Sequence, residues 1–240
     1  MKSVEAWHSD HLEHPVRLVR WGEMGTPVLI FPTAGGDAEE IERFGLVDAL
    51  GGLLAAGRIK VYSVDSVAGR SLLDKNDPRH TAWLFNAFSD VIREEIVPAI
   101  RLDCSSEDIE IITAGASIGA FNALSALCRH PDAFRAAVAL SGTYDLAPQF
   151  GGEFTDDFYF SSPLHFLRGL DGAHLSRIKQ RFVVLASGAG AWEDPGQTWA
   201  MAAVLGEKGI PNRVDIWSDD HRHDWVTWRE MLPLYLDDLA

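Results

Sequence analysis

Residues Gly115-Ala116-Ser117-Ile118-Gly119 fit the pattern G-x-S-x-G, in which a sharp strand-to-helix turn raises a serine hydroxyl as a nucleophile. The flanking sequence supplies that context. Ile109-Glu110-Ile111-Ile112-Thr113-Ala114 is a β-branched run that reads as a strand, and Ala120-Phe121-Asn122-Ala123-Leu124 continues as a helix. A serine on such a turn holds strained backbone angles. Ala114, Gly115, Ala116, Gly119 and Ala120 are all small, which relieves the crowding. The helix N-terminus beside the hydroxyl favours negative charge as it develops.

A hydroxyl is a poor nucleophile until a base takes its proton. The acidic loop Ser218-Asp219-Asp220-His221-Arg222-His223-Asp224 offers two histidines after the last predicted strand. His223 is favoured, because it sits at the junction with the final helix, and His221 is its competitor. A carboxylate must then hold the imidazole tautomer. Glu193 and Asp194 both follow the penultimate strand. Asp194 is preferred, because Pro195 biases its backbone towards extended geometry; its competing role is a helix N-cap. One oxyanion donor is the backbone N–H of Ile118. The second comes from the loop Pro32-Thr33-Ala34-Gly35-Gly36-Asp37. Pro32 has no N–H, which leaves Ala34 or Gly35.

These side chains need a sheet to converge upon. Strand-like runs fall at Val4 to His8, Val16 to Trp21, Val28 to Phe31, Lys60 to Val64, Ile109 to Ala114, Ala136 to Leu140, Phe182 to Ala186 and Val214 to Trp217. The first two read as an antiparallel pair. Helical patterns alternate with the later ones, at Ala82 to Ile100, Ile118 to Arg129, Gln197 to Glu207 and Asp224 to Leu239. This alternation predicts an α/β fold, an approximately eight-stranded, mostly parallel sheet flanked by helices. The expected organisation is one domain over residues 1–240, with a cap-like insertion of short helices at 143–180 after the sixth strand. Phe150, Phe154, Phe158, Tyr159, Phe160 and Phe166 in that insertion either line a substrate pocket or form its own core.

Composition narrows the function further. The 240 residues carry a net charge of −14, from 21 Lys and Arg against 35 Asp and Glu. That balance argues against nucleic acid as a partner and against an anionic membrane surface. Cys104 and Cys128 form no CxxC motif and are expected as buried thiols. No signal-like segment opens the sequence and no apolar run reaches ~18 residues, so the expectation is a cytoplasmic protein. The cluster Asp219, Asp220, His221, His223 and Asp224 could be read as metal ligands, but close spacing in a loop does not give tetrahedral geometry. His8, His11 and His14 read as solvated.

Three segments together resemble the esterase branch of the α/β-hydrolases, the group of esterase D-type enzymes, S-formylglutathione hydrolase and mycolyltransferases. They are Phe31-Pro32-Thr33-Ala34-Gly35-Gly36, Gly115-Ala116-Ser117-Ile118-Gly119-Ala120 and His223-Asp224-Trp225-Val226-Thr227-Trp228-Arg229. The order Ser117, Glu193 or Asp194, His223 is the chain order of that superfamily. The sequence departs from the resemblance at Pro32-Thr33, where His-Gly is usual, at Ala116, where His or Tyr is common, and at Ala120, where Gly is common. The resemblance implies an α/β-hydrolase fold and a serine esterase acting on a small-molecule ester or thioester, without metal or cofactor. It also favours Asp194 as the acid, just before the helix that follows its strand. The alternatives are an acyltransferase with the same triad and a non-catalytic binding module of the same fold.

Overall fold

A computed structural model describes residues 1–74, 77–150 and 154–240. Eight strands form one sheet: β1 (Lys2–Ser9), β2 (His14–Trp21), β3 (Thr26–Phe31), β4 (Ile59–Val64), β5 (Ile111–Ala116), β6 (Phe134–Leu140), β7 (Phe182–Ser187) and β8 (Asn212–Ile216). Their order is β1-β2-β4-β3-β5-β6-β7-β8. β2 pairs antiparallel with both β1 and β4, and all later pairs are parallel. Thus β2 alone runs against the rest. Each predicted strand is present. β5 starts two residues later than predicted and runs on to Ala116, because Gly115 and Ala116 pair with Ala139 and Leu140. The strand therefore delivers the chain directly to Ser117.

The helices follow in chain order: α1 (Glu40–Arg43), α2 (Leu46–Ala49), α3 (Gly51–Ala55), α4 (Val67–Leu73), α5 (Pro78–Val91), α6 (Val97–Asp103), α7 (Ile118–Arg129), α8 (Asp156–Ser161), α9 (Pro163–Gly169), α10 (Gly172–Ile178), α11 (Pro195–Glu207) and α12 (Trp225–Leu239). The helix predicted from Ala82 to Ile100 is α5 and α6 joined by a π-turn at Ile92–Ile96. Pro98 explains the break in regularity, since it cannot donate to the carbonyl four residues back and its ring crowds that carbonyl. The insertion holds the short helices α8, α9 and α10, as its sequence predicts; its residues 151–153 lie outside the described ones.

Side-chain alternation on the strands makes two cores. Leu29 and Phe31, Tyr62 and Val64, Ala137 and Ala139, Val183 and Leu185 face the side covered by α5, α7 and α11. Val28 and Ile30, Ile59 and Val61, Val138 and Leu140, Val184 and Ala186 face α12 and the short helices α1 and α2. α12 answers with Trp228, Met231, Leu232, Tyr235 and Leu236, an i, i+3, i+4 stripe that is buried throughout. Each fully buried Leu, Ile or Phe contributes about 1.5–3 kcal/mol, so both faces hold the sheet edge that carries the chemistry. Cys128 is buried, and burial pushes its thiol above the usual range. Cys104 is only partly buried, a correction to its predicted burial: it ends α6, with its sulfur 3.3 Å from the Tyr62 hydroxyl.

Candidate active site

Ser117 has φ 58 and ψ −121 degrees, a strained conformation for a residue with a side chain. Its N–H donates to the Leu140 carbonyl at 3.0 Å, so the β5–β6 ladder extends one residue past the strand. α7 starts at the next residue. Both motif glycines are needed sterically. A Cβ on Gly119 would overlap the Phe31 carbonyl oxygen, and one on Gly115 would overlap the Gly119 backbone. The first turn of α7 therefore lies hard against the end of β3. Among the described residues, the Ile118 N–H and the Ser117 hydroxyl have no hydrogen-bond partner. The serine is partly exposed.

The loop after β3 is held by a residue that sequence reasoning missed. Glu40 is buried, and its carboxylate accepts from the Thr33 N–H at 2.7 Å and the Thr33 hydroxyl at 2.8 Å. That contact uses up the Thr33 N–H. The Ala34 and Gly35 N–H groups have no partner among the described residues. α4 closes over this loop, because Gly69 lacks the Cβ that would crowd Ala34. No local motif marks Glu40; the turn of the loop after β3 brings it back to Thr33, seven residues earlier.

The base and acid meet at the other side of the edge. His223 Nδ1 lies 3.4 Å from Glu193 Oε2, and the Glu193 side chain is only 1% exposed. This contact is long for a hydrogen bond, as pairs in ligand-free sites often are. Asp194, the sequence-preferred acid, does not face His223. It is exposed and caps α11, accepting from the Gly196 N–H at 3.0 Å, so its short side chain is turned along the helix it starts. Trp192 has φ 68 degrees, a left-handed residue that reorients the chain just before Glu193.

Two serines fix the carboxylate. Ser141 Oγ donates to Glu193 Oε1 at 2.6 Å, and Ser187 Oγ lies 3.2 Å from Oε2. Burial pushes the Glu193 carboxyl up, but hydrogen bonds from His223, Ser141 and Ser187, with the attraction of His223, outweigh it and hold the carboxyl below its ordinary value. The Trp228 ring packs edge-on to the His223 ring at 5.1 Å between centroids. Gly188 and Gly190 let the acid loop lie against the His221 carbonyl, where any Cβ would overlap, and the His223 N–H donates to Ala191 at 3.1 Å.

His221 turns elsewhere, towards Ser218 Oγ at 2.9 Å and Glu230 at 3.4 Å. Asp224 caps α12 through the Thr227 N–H. The acidic loop therefore spreads its side chains, and no group of three or more metal-ligating residues occurs among the described residues. In the insertion, Phe150 and Phe158 pack on each other at 4.6 Å, with Phe154 and His165 against Phe158. Tyr159, Phe160 and Phe166 line a separate cavity of about 520 Å³, with Arg129 and His130 at the far end of α7. These aromatics thus form the insertion's core and a cavity remote from Ser117. The void bordering the elbow, between Gly115, Ala116, Leu140, Trp225 and Trp228, holds only about 10 Å³.

A family model described as "Putative esterase" matches residues 55–238. No curated protein matches the sequence significantly. Among solved structures, a ferulic acid esterase superposes with a TM-score of 0.77 at 15% identity, covering 100% of this chain and 97% of its own. The fluorophosphonate-binding serine hydrolase F of Staphylococcus aureus gives a TM-score of 0.73 at 13% identity, covering 100% and 98%. An S-formylglutathione hydrolase of the same organism gives 0.67 at 12% identity, covering 100% and 96%. At such identities these likenesses concern the fold. No described helix is long and apolar enough to cross a membrane.

Proposed function

The chain belongs to the esterase family of the α/β-hydrolases and is a carboxylic ester hydrolase, and from that premise we propose that it works through a Ser117–His223–Glu193 triad and an acyl-enzyme. The observation that carries this reading is the buried Glu193 carboxylate against His223 Nδ1, on the same sheet edge as the strained Ser117. With Nδ1–H held by Glu193, Nε2 is the basic nitrogen. It takes the proton as Ser117 Oγ attacks the carbonyl carbon of a small ester or thioester. The oxyanion that forms is held by the Ile118 N–H and by Ala34 or Gly35, whose N–H groups are unengaged. Collapse expels the alcohol or thiol, which takes the proton from His223. Water, activated by the same imidazole, then releases the acid and restores Ser117.

His223 supplies the base and backbone N–H groups the electrophile, so the reading needs no metal or cofactor. It takes residues 1–240 as one domain, 143–180 being the insertion. Both cysteines are free thiols, which fits a reducing cytoplasm.

The test is covalent labelling with a fluorophosphonate, together with hydrolysis of p-nitrophenyl acetate. Mass spectrometry is expected to place one adduct on Ser117, and Ser117→Ala to abolish adduct and turnover together. An unlabelled wild-type protein, or turnover retained in Ser117→Ala, overturns the reading.

A further inference from the structure

Three serines stand in one row across the sheet edge. Ala116 pairs with Leu140, and Leu140 with Ala186. The next residue on each strand line is Ser117, Ser141 and Ser187 in turn. The row is continued by hydrogen bonds beyond regular pairing, from the Ser117 N–H to Leu140 and from the Ser141 N–H to Ala186. Ser117 carries the proposed nucleophile. The other two point at Glu193.

Ser141 is the more informative. It has φ 46 degrees, a left-handed conformation that favours glycine. A side chain there strains the backbone, and Ser141 is buried. Its hydroxyl has two partners, and their chemistry fixes its direction. The Trp228 indole N–H can only donate, and it reaches Ser141 Oγ at 3.0 Å. The Ser141 proton is therefore directed at Glu193 Oε1, 2.6 Å away. Trp228 also packs on the His223 ring. One indole thus braces the imidazole and orients the hydroxyl that anchors its carboxylate.

We propose that Ser141 is a positioning residue for ester hydrolysis: its hydroxyl, oriented by Trp228 and assisted by Ser187, fixes the Glu193 carboxylate against His223 Nδ1. This rests on the triad reading above. With Oε1 anchored by Ser141, the carboxylate cannot rotate, and Oε2 stays directed at the imidazole. Ser187 donates more weakly, since its hydroxyl also reaches the Gly188 carbonyl at 2.8 Å.

The test uses the full-length protein and p-nitrophenyl acetate. Ser141→Gly removes the hydroxyl and relieves the backbone; Ser141→Ala removes the hydroxyl and keeps the strain. Both are expected to lower kcat/KM, and the rate of fluorophosphonate inactivation with it, by about 10- to 100-fold, the effect of losing one hydrogen bond to a charged group. In a Glu193→Gln background, Ser141→Gly is expected to add no further loss beyond about twofold, the ordinary error of additivity. The low-field proton resonance of His223 Nδ1–H should shift or vanish in both single variants. A purely structural serine would give the opposite result, a falling Tm in Ser141→Ala with kcat/KM preserved in Ser141→Gly. Ser187→Ala, in the same two backgrounds, reads the same clamp through a second residue and is expected to show a smaller loss. Ser141→Gly within about twofold of wild type, or equal losses with and without the Glu193 carboxylate, overturns the inference. Ser117→Ala in the same assay separates the two readings: its full activity would remove the triad itself, whereas its inactivity beside an unaffected Ser141→Gly would remove the clamp alone.

Discussion

Replacing Glu193 by Gln keeps the shape of the side chain and removes its charge. During attack His223 becomes an imidazolium, and the nearest carboxylate oxygen lies 3.4 Å from Nδ1. At an effective dielectric of ~20, that attraction is about 5 kcal/mol, or roughly 4 × 10³ in rate. A second effect acts in the same direction. The Ser141 hydroxyl is a donor towards Glu193, and His223 Nδ1–H is another. A carboxylate accepts both. An amide has one carbonyl oxygen, so one donor must face its NH₂ group or lose its partner. If the NH₂ meets Nδ1, the imidazole proton moves to Nε2, the nitrogen that must accept from Ser117. The expected loss in kcat is therefore 10³- to 10⁴-fold, the upper end being the ~10⁴ typical of a lost orienting acid.

The neighbouring carboxylate gives the control. Asp194 is exposed and caps α11 through the Gly196 N–H. Asn caps as well as Asp, so Asp194→Asn should leave both kcat and Tm close to wild type. Asp194→Ala should lower stability by about 1 kcal/mol, a Tm decrease of roughly 2–4 °C at this chain length, with kcat retained. The assay is kcat on p-nitrophenyl acetate, with Tm by circular dichroism for each variant. A near-normal Glu193→Gln beside a crippled Asp194→Asn would refute the reasoning, because it would place the working carboxylate at the residue that faces away from His223.

Three other outcomes follow from the same geometry. Gly119→Ala drives a methyl group into the Phe31 carbonyl, and should cost about 3 kcal/mol or more, lowering Tm by roughly 6–12 °C; a variant melting with the wild type would show that the elbow is looser than described. Glu193 is held below its ordinary value of 4.5, so its charge contributes stability above that pH and loses it as the pH falls through the folded value. The Tm difference between wild type and Glu193→Gln should accordingly shrink below about pH 4.5, and a difference constant from neutral to acid pH would contradict the assignment. The insertion at 143–180 is under 40 residues and leaves little room for a long acyl channel, so acetyl and propionyl esters should show higher kcat/KM than octanoyl ones; the reverse ranking would require such a channel.

The central strands β3 to β7 were legible because each is a short apolar or β-branched run, and burial on both faces of a parallel sheet asks for that composition. α7 was legible to the residue, since the elbow sets its start and Arg129-His130-Pro131 its end. The π-turn was not, because no residue type specifies an extra residue in a helical turn; Pro98 marks only where regularity must fail. Ser117 and His223 could be singled out as candidates because a strained turn and a strand-end loop each leave a local pattern. Glu40 could not, since its partner Thr33 is met only after the chain turns back over the end of β3.

The acid fell between these cases. Glu193 and Asp194 follow the same strand, and spacing cannot separate neighbours. A discriminating signal was nonetheless present in the segment Asp194-Pro195-Gly196. Asp before a proline at the first helical position is an N-cap with a pre-organised helix start. A cap must turn its carboxylate onto its own backbone N–H groups, which disqualifies it from facing another loop. Read that way, Pro195 argues for Asp194 as the cap, and Glu193 inherits the histidine by elimination. The left-handed Trp192 then supplies the turn that points Glu193 inward. The same logic applies one strand over. Ser141-Gly142 reads as an ordinary turn, yet the left-handed position has gone to the serine rather than the glycine. Gly142 is kept where a Cβ would overlap the Tyr144 ring, and backbone strain at the neighbouring residue, whose hydroxyl reaches Glu193, is what the proposed positioning role of Ser141 leads one to expect.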